Sequence, residues 1–312
     1  MVTLGQTLSA QPATAAGTPV YNSVPAVYPN GFPSVGFQSY GTKEAGQLVH
    51  LAGTDRRLED VTVSFSSWEC ETGEWNDNNC VTTTPGGGFT HPVTINVYAA
   101  AGDSTVDGNL TGALLGSVTQ TITVPFRPSA TPALCPADPT RWYDGTTCQS
   151  NRAFQAVFPM GSVAANLPDD IIVAVAYNTS TTGAAPIGTP GPYDNLNLSF
   201  GNVLPSIGTD PTLNDIYLDA FAGRYLDGGA SGSDVLRVDA NDWAGARLVL
   251  SVSASPIPPA AGVGGAIGAA DPTLAATGSE PVDPTLGWVA LGTLLAGAAA
   301  VALSARRRRA TA

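Results

Sequence analysis

Positive charge is scarce in this chain of 312 residues: lysine occurs once, at Lys43, and 13 basic residues face 25 acidic ones. Four of the bases, Arg306 to Arg309, stand together near the end, and beyond Thr277 the acids are Glu280 and Asp283. Residues 1–277 therefore carry 23 acids against 9 bases, a net charge of about −14. A domain of that sign repels phosphate backbones and anionic lipid surfaces, so nucleic acid is not an expected partner. Catalytic signatures are also missing. There is no G-x-S-x-G elbow, no H-E-x-x-H and no phosphate-binding loop. Histidine is limited to His50 and His91, one inside an apolar run and one before Pro92, where structural roles are expected. No internal repeat and no amphipathic helix occur before Leu286.

What is present has a period of two. Val61, Val63 and Phe65 alternate with Thr62, Ser64 and Ser66, and Val93, Ile95 and Val97 alternate with Thr94 and Asn96. Val118, Ile122 and Val124 share a parity; Leu196, Leu198 and Phe200 repeat the pattern, as do Leu248, Leu250 and Val252. Strict alternation predicts half-buried antiparallel strands. Ile171 to Ala176 is apolar on both parities, which predicts a central strand covered on both faces. With weaker runs at 48–52, 154–158 and 236–238, about 8–10 strands are expected. Gly, Pro, Asn and Asp clusters separate them. The fold expected over residues 17–254 is all-β, an antiparallel two-sheet sandwich or jelly roll. Residues 255–273, rich in Pro, Gly and Ala, read as a flexible linker.

Four cysteines stand as two close pairs, Cys70 with Cys80 and Cys135 with Cys148. Three connectivities are possible, and the two local ones are expected, each closing a loop of about a dozen residues. Disulfides leave no thiolate for catalysis, and neither pair has zinc-knuckle spacing, so no metal is expected there.

The chain ends in three consecutive parts. Leu274-Ala275-Ala276-Thr277-Gly278 is followed by an uncharged, largely apolar run over 286–305 and then by Arg306, Arg307, Arg308 and Arg309. Twenty residues at helical rise span ~30 Å, the thickness of a hydrocarbon core, so one transmembrane helix is expected. Arginines at its exit end put the body of the chain on the outer side. This order resembles the cell-wall sorting signal of Gram-positive surface proteins, with alanine where LPxTG has proline, as in the LAxTG variant of actinobacteria. The resemblance implies a sortase as processing enzyme, cleavage between Thr277 and Gly278, covalent attachment to peptidoglycan, and membrane residence through 286–305 before processing. Wall sorting needs export. Residues 1–16, ending Ala13-Thr14-Ala15-Ala16, accordingly read as the remnant of a signal peptide. Residues 20–250 also resemble exported β-rich ectodomains of actinobacteria, through Leu167-Pro168-Asp169-Asp170 and Ala176-Tyr177-Asn178-Thr179; that likeness implies surface exposure and no reaction.

Two sets of residues are candidates for a ligand. Trp68, Trp75, Trp142 and Trp243 each stand near acidic or amide residues. Such indoles either stack on sugars or pack over a sandwich edge with the N–H satisfied. Trp68 and Trp75 flank and occupy the Cys70–Cys80 loop, which would present them rigidly. Asp210, Asp215, Asp219, Asp227, Asp234, Asp239 and Asp242 supply oxygen enough for a structural calcium, or simply form solvated turns. No other cofactor is expected. The expectation is a non-enzymatic, wall-anchored surface protein with an adhesive or coat role; the alternatives are a carbohydrate-binding or carbohydrate-active module and a simple single-pass membrane protein.

Overall fold

Strand β4, Arg57–Ser67, is the hub of the larger sheet. The computed structural model describes residues 17–101, 110–161, 166–183, 192–212, 216–218, 236–238 and 246–258. One edge of β4 pairs antiparallel with β9 (Arg152–Pro159), from Asp60↔Pro159 to Ser67↔Arg152. The other edge is shared. β15 (Leu250–Ser255) runs along its first half and β11 (Leu196–Gly201) meets Phe65 to Ser67. β1 (Thr18–Asn22) extends the sheet beyond β15, while β2 (Ser34–Gly36) and β14 (Arg247–Leu248) pair with β11.

A second, six-stranded sheet has the order β13 (Leu236–Val238), β12 (Ile216–Leu218), β3 (Glu44–His50), β10 (Asp170–Ala176), β5 (Gly88–Ala100), β6 (Thr111–Pro125). A small ribbon, β7 (Trp142–Tyr143) with β8 (Cys148–Gln149), stands apart. The helical elements named among the described residues are α1 (Phe37–Tyr40) and a 3-10 turn at Pro192–Asn195, with Gly161 also in a 3-10 conformation.

The alternation in sequence is the alternation in space. Val61, Val63 and Phe65 of β4, with Leu196, Leu198, Leu250 and Val252, point into one core. Val93, Ile95 and Val97 of β5 and Ile171, Val173 and Val175 of β10 enter it from the other sheet. Each such side chain stabilises by about 1.5–3 kcal/mol on leaving water, offset by the entropy of ordering it. On β6, Ile122 and Val124 are buried while Thr119, Thr121 and Thr123 are exposed. β10 is covered on both faces as its composition predicts: Ile172 and Ala174 join Leu48, Leu110, Leu236 and Val238 in a second cluster.

Two expectations are corrected. Among the described residues the strands number fifteen rather than 8–10, because segments of two or three residues are too short to show a period. Ser64 and Ser66 are buried, although alternation put them in water; Ser66 Oγ and Ser199 Oγ pair at 2.8 Å on the covered outer side. The run through Leu248, Leu250 and Val252 serves two partners. It wedges between β11 and β4, with Val249 N–H donating to the Ser199 carbonyl (3.1 Å) and the Val249 carbonyl accepting from Ser64 (2.9 Å).

The chain divides into two units, 1–259 and 260–312. The signal remnant over 1–16, the linker from 259 onward, the pentapeptide Leu274 to Gly278, the run 286–305 and Arg306 to Arg309 lie outside the described residues. Among the described residues no helix is long and apolar enough to cross a membrane.

Candidate functional site

Where β4 ends, the chain leaves the sheet at Trp68. Its backbone N–H donates to the Asn195 carbonyl (2.9 Å), which ties the strand end to the 3-10 turn before β11. The indole Nε1 donates to Ser34 Oγ at 3.0 Å. With the Asn197 amide turned so that its nitrogen donates to the Leu196 carbonyl, the amide oxygen also accepts from Nε1 at 3.1 Å. The indole is thereby fixed at its polar corner and half-buried.

Trp75 comes to it from the loop closed by Cys70–Cys80, whose Cα atoms are 5.4 Å apart. Within that loop Thr72 and Val81 exchange backbone hydrogen bonds of 3.0 and 2.9 Å, and Glu74 N–H donates to Asn79 Oδ1 at 2.7 Å. Gly73 has φ +78°, and a Cβ there would lie 2.2 Å from the Asn79 carbonyl oxygen, so only glycine closes the turn. The neighbouring Glu71 carboxylate accepts from the backbone N–H of Thr83 (2.5 Å) and Thr84 (2.9 Å) and from both threonine hydroxyls. Those donors, the Thr84 hydroxyl foremost, hold its carboxyl down at about 2. The result is an edge-to-face pair, Trp68 and Trp75, with ring centres 4.7 Å apart and planes at 68°.

The pair forms one wall of a cleft of about 240 Å³ whose other residues are Gln38, Ser39, Asp194, Asn195 and Asn197. Asp194 is oriented by Ser180, which donates from its backbone (2.8 Å) and its hydroxyl (2.5 Å). Gln38 donates to the Asp194 carbonyl, and its own Oε1 is buried with no donor among the described residues. Asn195 donates to Glu69, whose carboxyl burial pushes up; the Asn195 bond pulls it down and Glu74 adds to the rise.

Trp68 also borders a second cleft, about 500 Å³, lined by Ser34, Arg141, Cys148, Gln149, Ser150, Asn151 and the 31–33 segment. The Cys135–Cys148 bond braces it. There Asp144 accepts from Thr146 and Thr147 N–H (both 2.8 Å) and Gln149 Nε2 (2.9 Å), which hold its carboxyl far below the usual range. Arg141 is engaged by Asp138 at 2.9 Å.

Arg127, fully buried, joins the two stapled regions. Its N–H donates to the Glu69 carbonyl (2.8 Å), its carbonyl accepts from Thr82 Oγ1 (2.7 Å), and Nη2 donates to the Thr140 carbonyl (2.7 Å). Burial lowers it to about 10, so it stays cationic at neutral pH. Behind Asp194, His91 is enclosed by the Tyr193 and Tyr177 rings at 4.7 and 5.3 Å. Neither ring nitrogen has a partner among the described residues, and burial lowers its pKa to about 4.

The four tryptophans therefore separate. Trp68 and Trp75 meet at the cleft. Trp142 is 8% exposed with Nε1 donating to the Asn151 carbonyl at 3.1 Å, a packing role. Trp243 lies outside the described residues, as do Asp215, Asp219, Asp227, Asp234, Asp239 and Asp242. Asp210 is not in a solvated turn: its side chain is 2% exposed and engages Tyr21 and Arg247. Among the described residues no three His, Cys, Asp or Glu side chains gather to hold a metal. His50 lies in a different cleft, its Nδ1 2.8 Å from Asp170 Oδ1, next to the Arg56–Asp169 pair at 2.6 Å.

Sequence reasoning singled out Trp68 and Trp75 but missed Gln38, Asp194, Asn195 and Asn197. The run Tyr193-Asp194-Asn195-Leu196-Asn197 does put one carboxylate and two amides at a strand start, yet nothing in its spacing ties it to a loop 126 positions away. Chemically the cleft offers indole faces, amides and a carboxylate, a set suited to stacking and hydrogen bonding. Cys70–Cys80 and Cys135–Cys148 are bonded, with no free cysteine, and such bonds persist in oxidising compartments. No protein-family model matches the chain, and no curated protein and no solved structure matches it either.

Proposed function

We propose that this is an exported, non-enzymatic surface protein that adheres through the Trp68–Trp75 end of its β domain. The domain is a two-sheet sandwich of the jelly-roll kind, followed by a linker and a sorting signal over 274–312. In that signal a sortase cysteine attacks the Thr277 carbonyl, the bond to Gly278 breaks with release of the Gly278 amine, and an amine of the peptidoglycan precursor then takes the Thr277 acyl group. The span 286–305 and Arg306 to Arg309 hold the chain at the membrane until that exchange.

One observation carries the reading: pentapeptide, apolar run and arginines follow, in that order, a domain whose four cysteines are all in disulfides. Cell fractionation in a Gram-positive host with a class E sortase tests it. The chain is expected in the muralytic wall digest, and Thr277→Ala with Gly278→Ala is expected to shift it to the membrane fraction. An unchanged distribution points instead to a simple single-pass anchor. A carbohydrate-binding role is favoured as the second reading by the edge-to-face indoles beside Asp194, Asn195 and Asn197.

A further inference from the structure

Trp68 borders both clefts, the one of about 240 Å³ and the one of about 500 Å³. We propose that the two clefts act as adjoining subsites for a neutral, linear glycan that crosses the Trp68 indole, with at least one sugar unit on either side. This rests on the reading that this end of the domain is the adhesive one.

Four observations lead there. The first is the angle between the indoles. Rings at 68° cannot both lie parallel to one flat ligand ring, so a single aromatic or sugar ring stacks on one indole only. A chain of linked rings, each turned against the next, can address both. The C–H face of a pyranose carries partial positive charge and suits the negative face of an indole, which is why stacking rather than a deep pocket is adequate.

The second is the polar lining. Asp194, Asn195 and Asn197 flank the smaller cleft, and Gln149 and Ser150 the larger. Carboxylates and amides present paired acceptors and donors in a plane, which match vicinal hydroxyls. Asp194 keeps acceptor capacity after binding Ser180, since a carboxylate has about four lone-pair sites.

The third is charge. The cation among the described lining residues of the two clefts is Arg141, which Asp138 engages at 2.9 Å. Asp194 sits in the smaller cleft, with Glu69 behind Asn195. A phosphate-, sulfate- or uronate-bearing chain would meet a carboxylate in the smaller cleft, with no cation among its described lining residues. A neutral glycan meets no such cost.

The fourth is rigidity. Trp75 is carried by the loop that Cys70–Cys80 closes, and Gln149 follows Cys148 of the second disulfide. Arg127 links the two regions through Glu69 and Thr140. Walls fixed before binding lose little conformational freedom on binding, which is what a weak, shallow site requires.

The test is calorimetric titration of the purified full chain with neutral gluco-, manno- and xylo-oligosaccharides of one to six units. Chitosan oligomers, a uronate polymer and a proline-rich peptide serve as comparison probes. Affinity for a neutral series is expected to rise about tenfold or more between one and three units, as the second subsite fills. Trp68→Ala is expected to abolish the chain-length gain and weaken binding about tenfold or more. Trp75→Ala should weaken the short oligomers while leaving the Cys70–Cys80 disulfide formed. Absence of neutral glycan binding, an affinity independent of chain length, tighter binding of the uronate polymer or the peptide, or a folded Trp68→Ala protein that binds normally each overturns the proposal. The two readings fail separately. Glycan binding by a chain that never reaches the wall removes the anchoring alone; adhesion by cells whose displayed protein ignores every glycan removes the glycan alone.

Discussion

Arg247 Nε stands 2.7 Å from Asp210 Oδ2, and the two side chains are 7% and 2% exposed. Asp210 Oδ1 also accepts from the Tyr21 hydroxyl at 2.5 Å, so β1, the segment after β11 and β14 are tied at one buried point. Burial raises the Asp210 carboxyl; the Tyr21 bond and the Arg247 charge pull it back. Removing Asp210 takes away the carboxylate that faces the buried Arg247 guanidinium. Asp210→Ala is expected to cost about 3–5 kcal/mol in urea unfolding, whereas replacing Asp210 and Arg247 together by apolar residues should recover most of it. A loss under 1 kcal/mol for the single change would show that water reaches the pair.

His91 makes stability fall on the acid side of neutrality. The folded protein holds it neutral down to about 4, while the unfolded chain takes its proton near 6.5. The unfolded state therefore binds more protons between those values. Stability is full above pH 6.5 and declines by up to about 1.4 kcal/mol per unit as pH falls toward 4. His91→Phe, which keeps an aromatic ring between Tyr177 and Tyr193, is expected to flatten urea midpoints measured across pH 4 to 6.5. An equally steep dependence in the variant assigns the effect elsewhere.

Glu71 acts in a lower window. Its carboxyl titrates at about 2 when folded against 4.5 ordinarily, so its contribution is present above 4.5 and is lost as pH falls through 2. Carboxyl chemical shifts followed by NMR should show that depressed titration. Glu71→Gln should increase amide exchange at Thr83 and Thr84 without moving the global midpoint, because the group is exposed. Unchanged exchange would mean the hydroxyl and amide bonds do not hold the loop.

Each disulfide closes a short loop, 10 and 13 positions apart, and is expected to contribute about 3 kcal/mol. Replacing Cys70 and Cys80 by alanine should also loosen Trp75, shifting tryptophan emission to the red. Replacing Cys135 and Cys148 should lower stability and shift emission less, because that bond braces the cleft Trp68 borders but does not carry Trp75. Equal spectral shifts for both variants would contradict the fixing of Trp75 by the Cys70–Cys80 loop.

Much of this was legible in the chain. Val61, Val63 and Phe65 announce their strand, Ile171 to Ala176 announces a strand covered twice, and the local spacing of the cysteines announces their pairing. Other features depend on what packs from afar. Ser64 and Ser66 read as solvent-facing, yet both are buried, Ser66 against the Ser199 hydroxyl of β11. Trp142 looks like Trp68 in sequence, and only the Asn151 carbonyl that accepts its N–H marks it as a packing residue. The cleft itself brings α1, the β4 end and the β11 start together, and no periodicity within one segment encodes such a meeting. Strands of two residues such as β7 and β14 have no pattern to read.

Mass spectrometry of the C-terminal peptide released by muralytic digestion tests the proposed attachment to the wall at Thr277 most directly. A peptide ending at Thr277 and carrying a wall-precursor amine is the predicted result, from a chain with no free thiol. Recovery of the chain only as an intact form ending at Ala312, with its four cysteines reduced, would contradict it.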